Sequence, residues 1–264
     1  MGDDMLFNIG DIVTRTSHGH DVFFRIMDIV GEEAYLKGIN MRLYADSHLT
    51  DLKKVENKKV EDDEKVYARV SEHLSLDRSE FFYLPGKVLH IDGDENFLNR
   101  CLNLYKKLNI MCYGLCLPEA DIASEVEEYL NKLNPDILVI TGHDAYYKKR
   151  GSTSDIDSYK NSRNFIEAVK SARKYEKDQD KLIIIAGACQ SDYEELIKSG
   201  ATFASSPKRI NIHALDPAII ASELALTDRN KTVDLVSLLE KTKYGSEGIG
   251  GVITKGSMFV GYPR

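Results

Sequence analysis

The sequence lacks a run of about 20 apolar residues, which a membrane-spanning helix requires. It also lacks the basic segment and following apolar run of a secretory signal, since it opens MGDDMLFNIG with two acids. A reducing cytoplasm is the expected compartment. Cysteine is scarce, and the spacing of Cys101, Cys112, Cys116 and Cys189 fits neither a disulfide framework nor a zinc knuckle. There is no excess of positive charge: 35 basic against 42 acidic residues leave −7, so the overall field disfavours coating nucleic acid and leaves only a local basic patch for that role. Internal repeats and low-complexity tracts are absent too. What is present is a chain of 264 residues with an apolar share of 42% and a charged share of 29%, enough for a real core in one large or two smaller domains.

The chain has two textures. Residues 7–55 carry short strand-like runs broken by glycines and acidic turns: Ile9–Arg15, Val22–Val30, Ala34–Lys37, Met41–Tyr44 and a last one over Asp51–Val55. That pattern predicts a small β-barrel resembling the SH3-like modules used for docking, occupying residues 1–58. ENKKVEDDEKV, residues 56–66, has eight charged residues in eleven and reads as an exposed linker or the start of a solvated helix. The linker is expected over 59–84. From 85 to 264 apolar strands alternate with amphipathic helices: KVLHID, IMCYGLCL, DILVIT and KLIIIAGA, with a fifth strand near Ala201–Ala204. Strands apolar on both faces imply an α/β fold, a mainly parallel sheet covered by helices on each side. The terminal GGVITKGSMFVGYP reads as a hairpin turning at Lys255-Gly256.

Ligand sites in open α/β sheets lie beyond the carboxyl ends of the strands. There stand Asp92-Gly93-Asp94, Thr141-Gly142-His143-Asp144 and Gly187-Ala188-Cys189-Gln190-Ser191. A thiol and an imidazole thus reach one rim from neighbouring strands. Cys189 also precedes a short helix over Asp192–Lys198, whose N-terminal partial charge favours a thiolate. The plainer readings are that Cys189 is a small buried apolar residue and that His143 steadies a loop. His213 is the rival base and His90 is expected to be packed in its strand. Lys208-Arg209 reads as a solvated face, Ser205 and Ser206 as loop residues, and GSEGIGG as a flexible turn lacking the lysine and hydroxyl of a P-loop.

A histidine after one apolar strand and a cysteine after the next, 46 residues on (189 − 143), resembles the caspase-like cysteine peptidases, where the separation is about 50. PGKVLHIDGD, PDILVITGHD, AGACQS, FASSPKRINIHALDP and GIGG, together with IGDIV and RLYADS, are similar to the YabG family of sporulation-specific proteases over essentially the whole chain. The resemblance implies a caspase-like three-layer sandwich. It implies an endopeptidase that processes spore coat and related proteins, cleaving after arginine, in the mother-cell cytoplasm at the forming coat. It maps the nucleophile onto Cys189 and the general acid/base onto His143. Two departures stand out. The order Gly142-His143-Asp144 replaces His-Gly, so the oxyanion donors become the amides of Asp144 and Cys189. Gly187 stands where relatives that accept basic residues often carry an acid. Asp92 and Asp94 are then the candidates for reading arginine, with Asp144 and Asp192 behind them; Asp144 has orienting His143 as its other role, and Asp192 capping its helix. No cofactor or metal is expected, and the partners are protein substrates, not nucleic acid or membrane. The linker near Arg69 or Arg78 is an expected self-cleavage site. Two other classes compete: a receiver-like domain, in which Thr141 has replaced the phosphoacceptor aspartate, and a non-catalytic docking scaffold.

Overall fold

The computed structural model describes residues 7–55, 62–72 and 79–263. They form two compact units, Met1–Asp62 and Asp63–Arg264.

The first unit is a five-stranded antiparallel sheet of order β4-β3-β2-β1-β5. Its strands are β1 (Ile12–Arg15), β2 (Phe24–Val30), β3 (Glu33–Gly38), β4 (Tyr44–His48) and β5 (Leu52–Lys54). Alternation along β2 and β3 turns Phe24, Ile26, Ala34 and Leu36 inward onto Val13. The fourth strand begins later than the apolar Met41–Tyr44 run predicts. Residues 38–43 fold into a tight turn, in which the Gly38 amide donates to the Leu43 carbonyl, and pairing with β3 starts only at Tyr44.

The second unit holds a six-stranded sheet of order β12-β11-β10-β9-β7-β8. The strands are β7 (Val88–Asp92), β8 (Cys112–Cys116), β9 (Ile137–Thr141), β10 (Ile183–Ala186), β11 (Phe203–Ser205) and β12 (Ile249–Gly251). All neighbours run parallel except β11 and β12. The helices are α1 (Asp63–Glu72), α2 (Glu95–Lys107), α3 (Ile122–Leu133), α4 (Ser162–Tyr175), α5 (Tyr193–Lys198), α6 (Asp216–Leu226) and α7 (Leu235–Glu240). Strand alternation sorts the core into two halves. Val88, Ile137, Val139, Ile183 and Ile185 pack with side chains of α1, α2, α6 and α7. Leu89, Ile91, Leu138, Ile140 and Ile184 pack with α3, α4 and Leu196 of α5. α6 is buried at every position, as an almost wholly apolar helix must be.

Two expectations need correcting. Part of the stretch read as linker is α1, whose Val66, Tyr67 and Val70 are buried in the core of the second unit, while the Asp63 carboxylate takes both Nε and Nη2 of Arg100 at 2.6 Å. The terminal hairpin does not form. β12 pairs with β11, and β13 (Phe259–Gly261) pairs instead with β6 (Phe82–Leu84). Gly256 is needed for close packing, because a Cβ there would collide with the Thr227 carbonyl.

Candidate active site

The parallel registers bring Asp92 beside Thr141 and Ile140 beside Ala186, so the loops after β7, β9 and β10 leave the sheet along one rim. His143 follows β9 by two residues and is held at four points. Its Nε2 lies 3.1 Å from Asp94 Oδ2, and its ring stands 5.8 Å from the Phe97 ring. Its amide donates to Glu119 Oε1 at 2.8 Å, and its carbonyl accepts from Asn161 Nδ2 at 2.7 Å.

Asp94 is therefore engaged inside the protein. Oδ1 caps α2 by accepting from the amides of Asn96 and Phe97 at 3.0 and 3.2 Å, and Oδ2 meets the imidazole. Asp92, at the end of β7, is fully buried. Its Oδ1 accepts from the Asp94 amide at 3.0 Å, and its Oδ2 lies 3.7 Å from His90 Nε2. His90 is packed as its strand position predicts, with Nδ1 2.9 Å from the Tyr105 hydroxyl.

Asp144 does not face His143. Its Oδ1 accepts from the amides of Ala145 and Asn161 at 2.8 and 2.7 Å, and its Oδ2 accepts from the hydroxyls of Ser162 and Ser191 at 2.5 and 2.9 Å. Burial pushes its carboxyl above the usual range, and these four bonds pull the other way. Through Ser191 the carboxylate ties the loop after β9 to the loop after β10. A second tie runs from the Tyr146 amide to Gln190 Oε1 at 3.2 Å.

Cys189 lies inside the tied region and is fully buried. Its sulfur accepts from the Ile212 amide at 3.4 Å, and the thiol donates to the Ile212 carbonyl at 3.8 Å. The Gln190 amide binds the Ile210 carbonyl, so residues 210–212 form a strap across the sulfur. His213 follows directly, but its Nδ1 accepts from the Leu215 amide at 3.2 Å in the turn leading to α6. Gly187 has φ +102, where an L side chain is strained, and a Cβ there would approach Leu196 Cδ1 to 2.9 Å. Asp192 caps α5 and lies 3.4 Å from Arg209 Nη2. Arg209, expected on a solvated face, is folded down onto Asp192, Glu194 and the Tyr159 hydroxyl. Ser206 closes its own loop by exchanging hydrogen bonds with Ile210. Among the described residues no cluster of His, Cys, Asp and Glu is placed to hold a metal, and no helix is long and apolar enough to cross a membrane.

A family model described as YabG peptidase U57 matches residues 8–76 and 64–263. The chain is also 41% identical, over 98% of its own length and 99% of the relative's, to a protein of Bacillus subtilis (strain 168) described as sporulation-specific protease YabG. The chain belongs to the YabG peptidase U57 family. It is thus a protease of the sporulation-specific YabG kind, and the matched spans cover most of both units.

In this YabG-family chain the residues that the strand-end argument does not find are those that hold the machinery rather than face the rim: Glu119, Asn161 and Ser162; it does reach Ser191, but not its bond to Asp144. A signal for Glu119 exists in Gly93 and Gly142. The Glu119 carboxylate fills the space of both missing side chains, and a Cβ on Gly142 would lie 2.6 Å from Oε1. The Asn161-Ser162 pair carries no such mark, because it reads equally well as the ordinary start of a helix.

Proposed function

We propose that this protease is a cysteine endopeptidase that cleaves after arginine. Cys189 is the nucleophile and His143 the general acid/base. The observation that carries the reading is the pair of ties, Asp144 to Ser191 and Tyr146 to Gln190, that bind the His143 loop to the Cys189 loop. In the reaction the thiol proton passes to the imidazole and the sulfur attacks the scissile carbonyl. The amides of Asp144 and Cys189 hold the oxyanion, and the imidazole returns the proton to the departing amine. Water then attacks the acyl-enzyme, releasing the carboxylate and restoring the thiol. Substrate reaches the sulfur only after the 210–212 strap moves aside, since Cys189 is buried beneath it.

Asp92 and Asp94 are the candidate acids for the guanidinium, and each must first give up a contact inside the protein, Asp92 with the Asp94 amide and His90, Asp94 with the α2 cap and the imidazole. The three-layer arrangement is read as caspase-like, and the first unit as an SH3-like docking module. Substrates are spore coat and other sporulation proteins, met in the mother cell at the forming coat, without nucleic-acid or membrane partners. Self-cleavage near Arg69 requires opening of α1, which contains that residue; Arg78 lies outside the described residues.

The deciding experiment replaces Cys189 by alanine. The variant is expected to keep its far-UV spectrum and to lose all cleavage of an arginine-containing protein; persistent cleavage refutes the assignment. The receiver-like or scaffold reading is separated by alkylation. Cys116 is the exposed thiol, and its ionisation is held back by partial burial and then by the neighbouring Asp92 and Glu95. Cys116 serves as the reference thiol: the rate of Cys189 relative to it falls in His143→Ala if Cys189 is catalytic, and a ratio unchanged by that substitution favours the scaffold.

A further inference from the structure

We infer that Asp94 is a positioning residue that selects which nitrogen of His143 does the chemistry. The inference rests on the cysteine-peptidase reading for its kinetic arm only. Asp94 Oδ2 stands 3.1 Å from Nε2, and both side chains are largely withdrawn from water, at 5% and 10% exposure. A carboxylate accepts and never donates, so Nε2 carries the proton in this contact. Nδ1 then presents the lone pair that receives the thiol proton and later delivers it to the leaving amine. The tautomer is fixed before substrate arrives.

The carboxylate is itself rigid. Oδ1 accepts two amides of the first turn of α2, so the side chain is anchored on a thirteen-residue helix rather than on a loop. The same helix supplies Phe97, whose ring lies 5.8 Å from the imidazole and at 57° to it. One element thus fixes both the direction of the ring, through Asp94, and its position, through Phe97. The backbone of the same residue is fixed by Glu119, from the loop after β8, and by Asn161, at the start of α4. This assignment also explains why Asp94 is a poor acid for a substrate guanidinium. Turning Oδ2 outward would break the imidazole contact.

Two roles overlap at Asp94, a helix cap and an imidazole partner, and Asp94→Ser separates them. Serine is as good an N-cap as aspartate, but it is too short to reach Nε2 while capping. In the full-length chain Asp94→Ser is expected to keep its melting temperature within about 3 °C. Its kcat on an arginine-containing peptide should fall roughly 10²–10³-fold with KM changed less than about threefold, since a misplaced tautomer removes transition-state rather than ground-state interactions. Nitrogen-15 histidine spectra, with the His143 signals identified by their loss in His143→Ala, should show the Nε2–H tautomer in the unsubstituted chain and its loss in Asp94→Ser. A kcat within about threefold of the parent, or a loss carried by KM alone, overturns the positioning role. So does an Nδ1–H tautomer in the unsubstituted chain. The spectral arm needs no turnover. If Cys189→Ala still cleaves, the cysteine reading fails by itself, while the tautomer still decides the role of Asp94.

Discussion

Removing the Asp144 carboxylate tests whether the two rim loops are held together as described. Asp144→Ala leaves two buried hydroxyls, on Ser162 and Ser191, and two amides, of Ala145 and Asn161, without their acceptor. A stranded buried donor costs about 1–3 kcal/mol. Water entering the vacated space serves some of the four, and the desolvation cost of the ionised carboxyl disappears with it. The net loss is then about 3–5 kcal/mol, in the range for breaking a buried charged network. For a unit of this size each kcal/mol moves the midpoint by about 2–4 °C, so the second unit should melt roughly 6–20 °C lower. Asp144→Asn should fall between parent and alanine. Its carbonyl can replace Oδ1 toward the two amides. Its NH2 group meets hydroxyls that already accept from the amides of Asp192 and Ala188, so it fits poorly. The chain has no tryptophan, so melting is followed by far-UV circular dichroism and tyrosine fluorescence. A shift under about 2 °C for alanine, or asparagine worse than alanine, refutes the reasoning.

Gly142→Ala should push the Glu119 side chain off the His143 amide, because the new Cβ would lie 2.6 Å from Oε1. Displacing the histidine by even an ångström costs up to about 100-fold in kcat, and trimming Glu119 to serine in the same chain should not rescue it, since the amide stays unserved; full rescue would show that only a clash was at stake. In the first unit, the Lys54 ammonium 2.7 Å from Asp11 holds that carboxyl below its usual range. The lowered value means that the contribution is complete above the ordinary carboxylate pKa and fades as pH falls through the depressed one. Lys54→Met should return the Asp11 titration, followed by carboxyl-carbon NMR, toward about 3.9; an unchanged midpoint would show that Lys54 is not the cause.

The βα alternation was legible because each buried strand is a short apolar run and each helix carries its own stripe, both properties of local sequence. Asp92, His143 and Cys189 were placed by the same logic, since each stands at or just past a strand end. Partnerships across the sequence were not legible. Asp94 and His143 are 49 residues apart, and nothing in DGD distinguishes an acid that faces substrate from one that faces an imidazole. The terminal segment misled for a related reason. Lys255-Gly256 has the chemistry of a turn, but the glycine is there because the chain passes against Thr227. β12 and β13 find partners far away, at β11 and β6, which local turn chemistry does not encode. The strap over Cys189 was equally hidden, because INIHALDP is irregular and Ile212 binds the sulfur through its backbone.

The β6–β13 ribbon carries a consequence for how the molecule is made. β6 stands almost at the head of the second unit and β13 at its tail. The first strand of the second unit thus waits for β13 before it is paired. A chain lacking β13 leaves Phe82 and Leu84 without their cross-strand neighbours Gly261 and Phe259. The ribbon is a clasp between two segments distant in sequence, and neither strand can be covered on this edge until the other is in place.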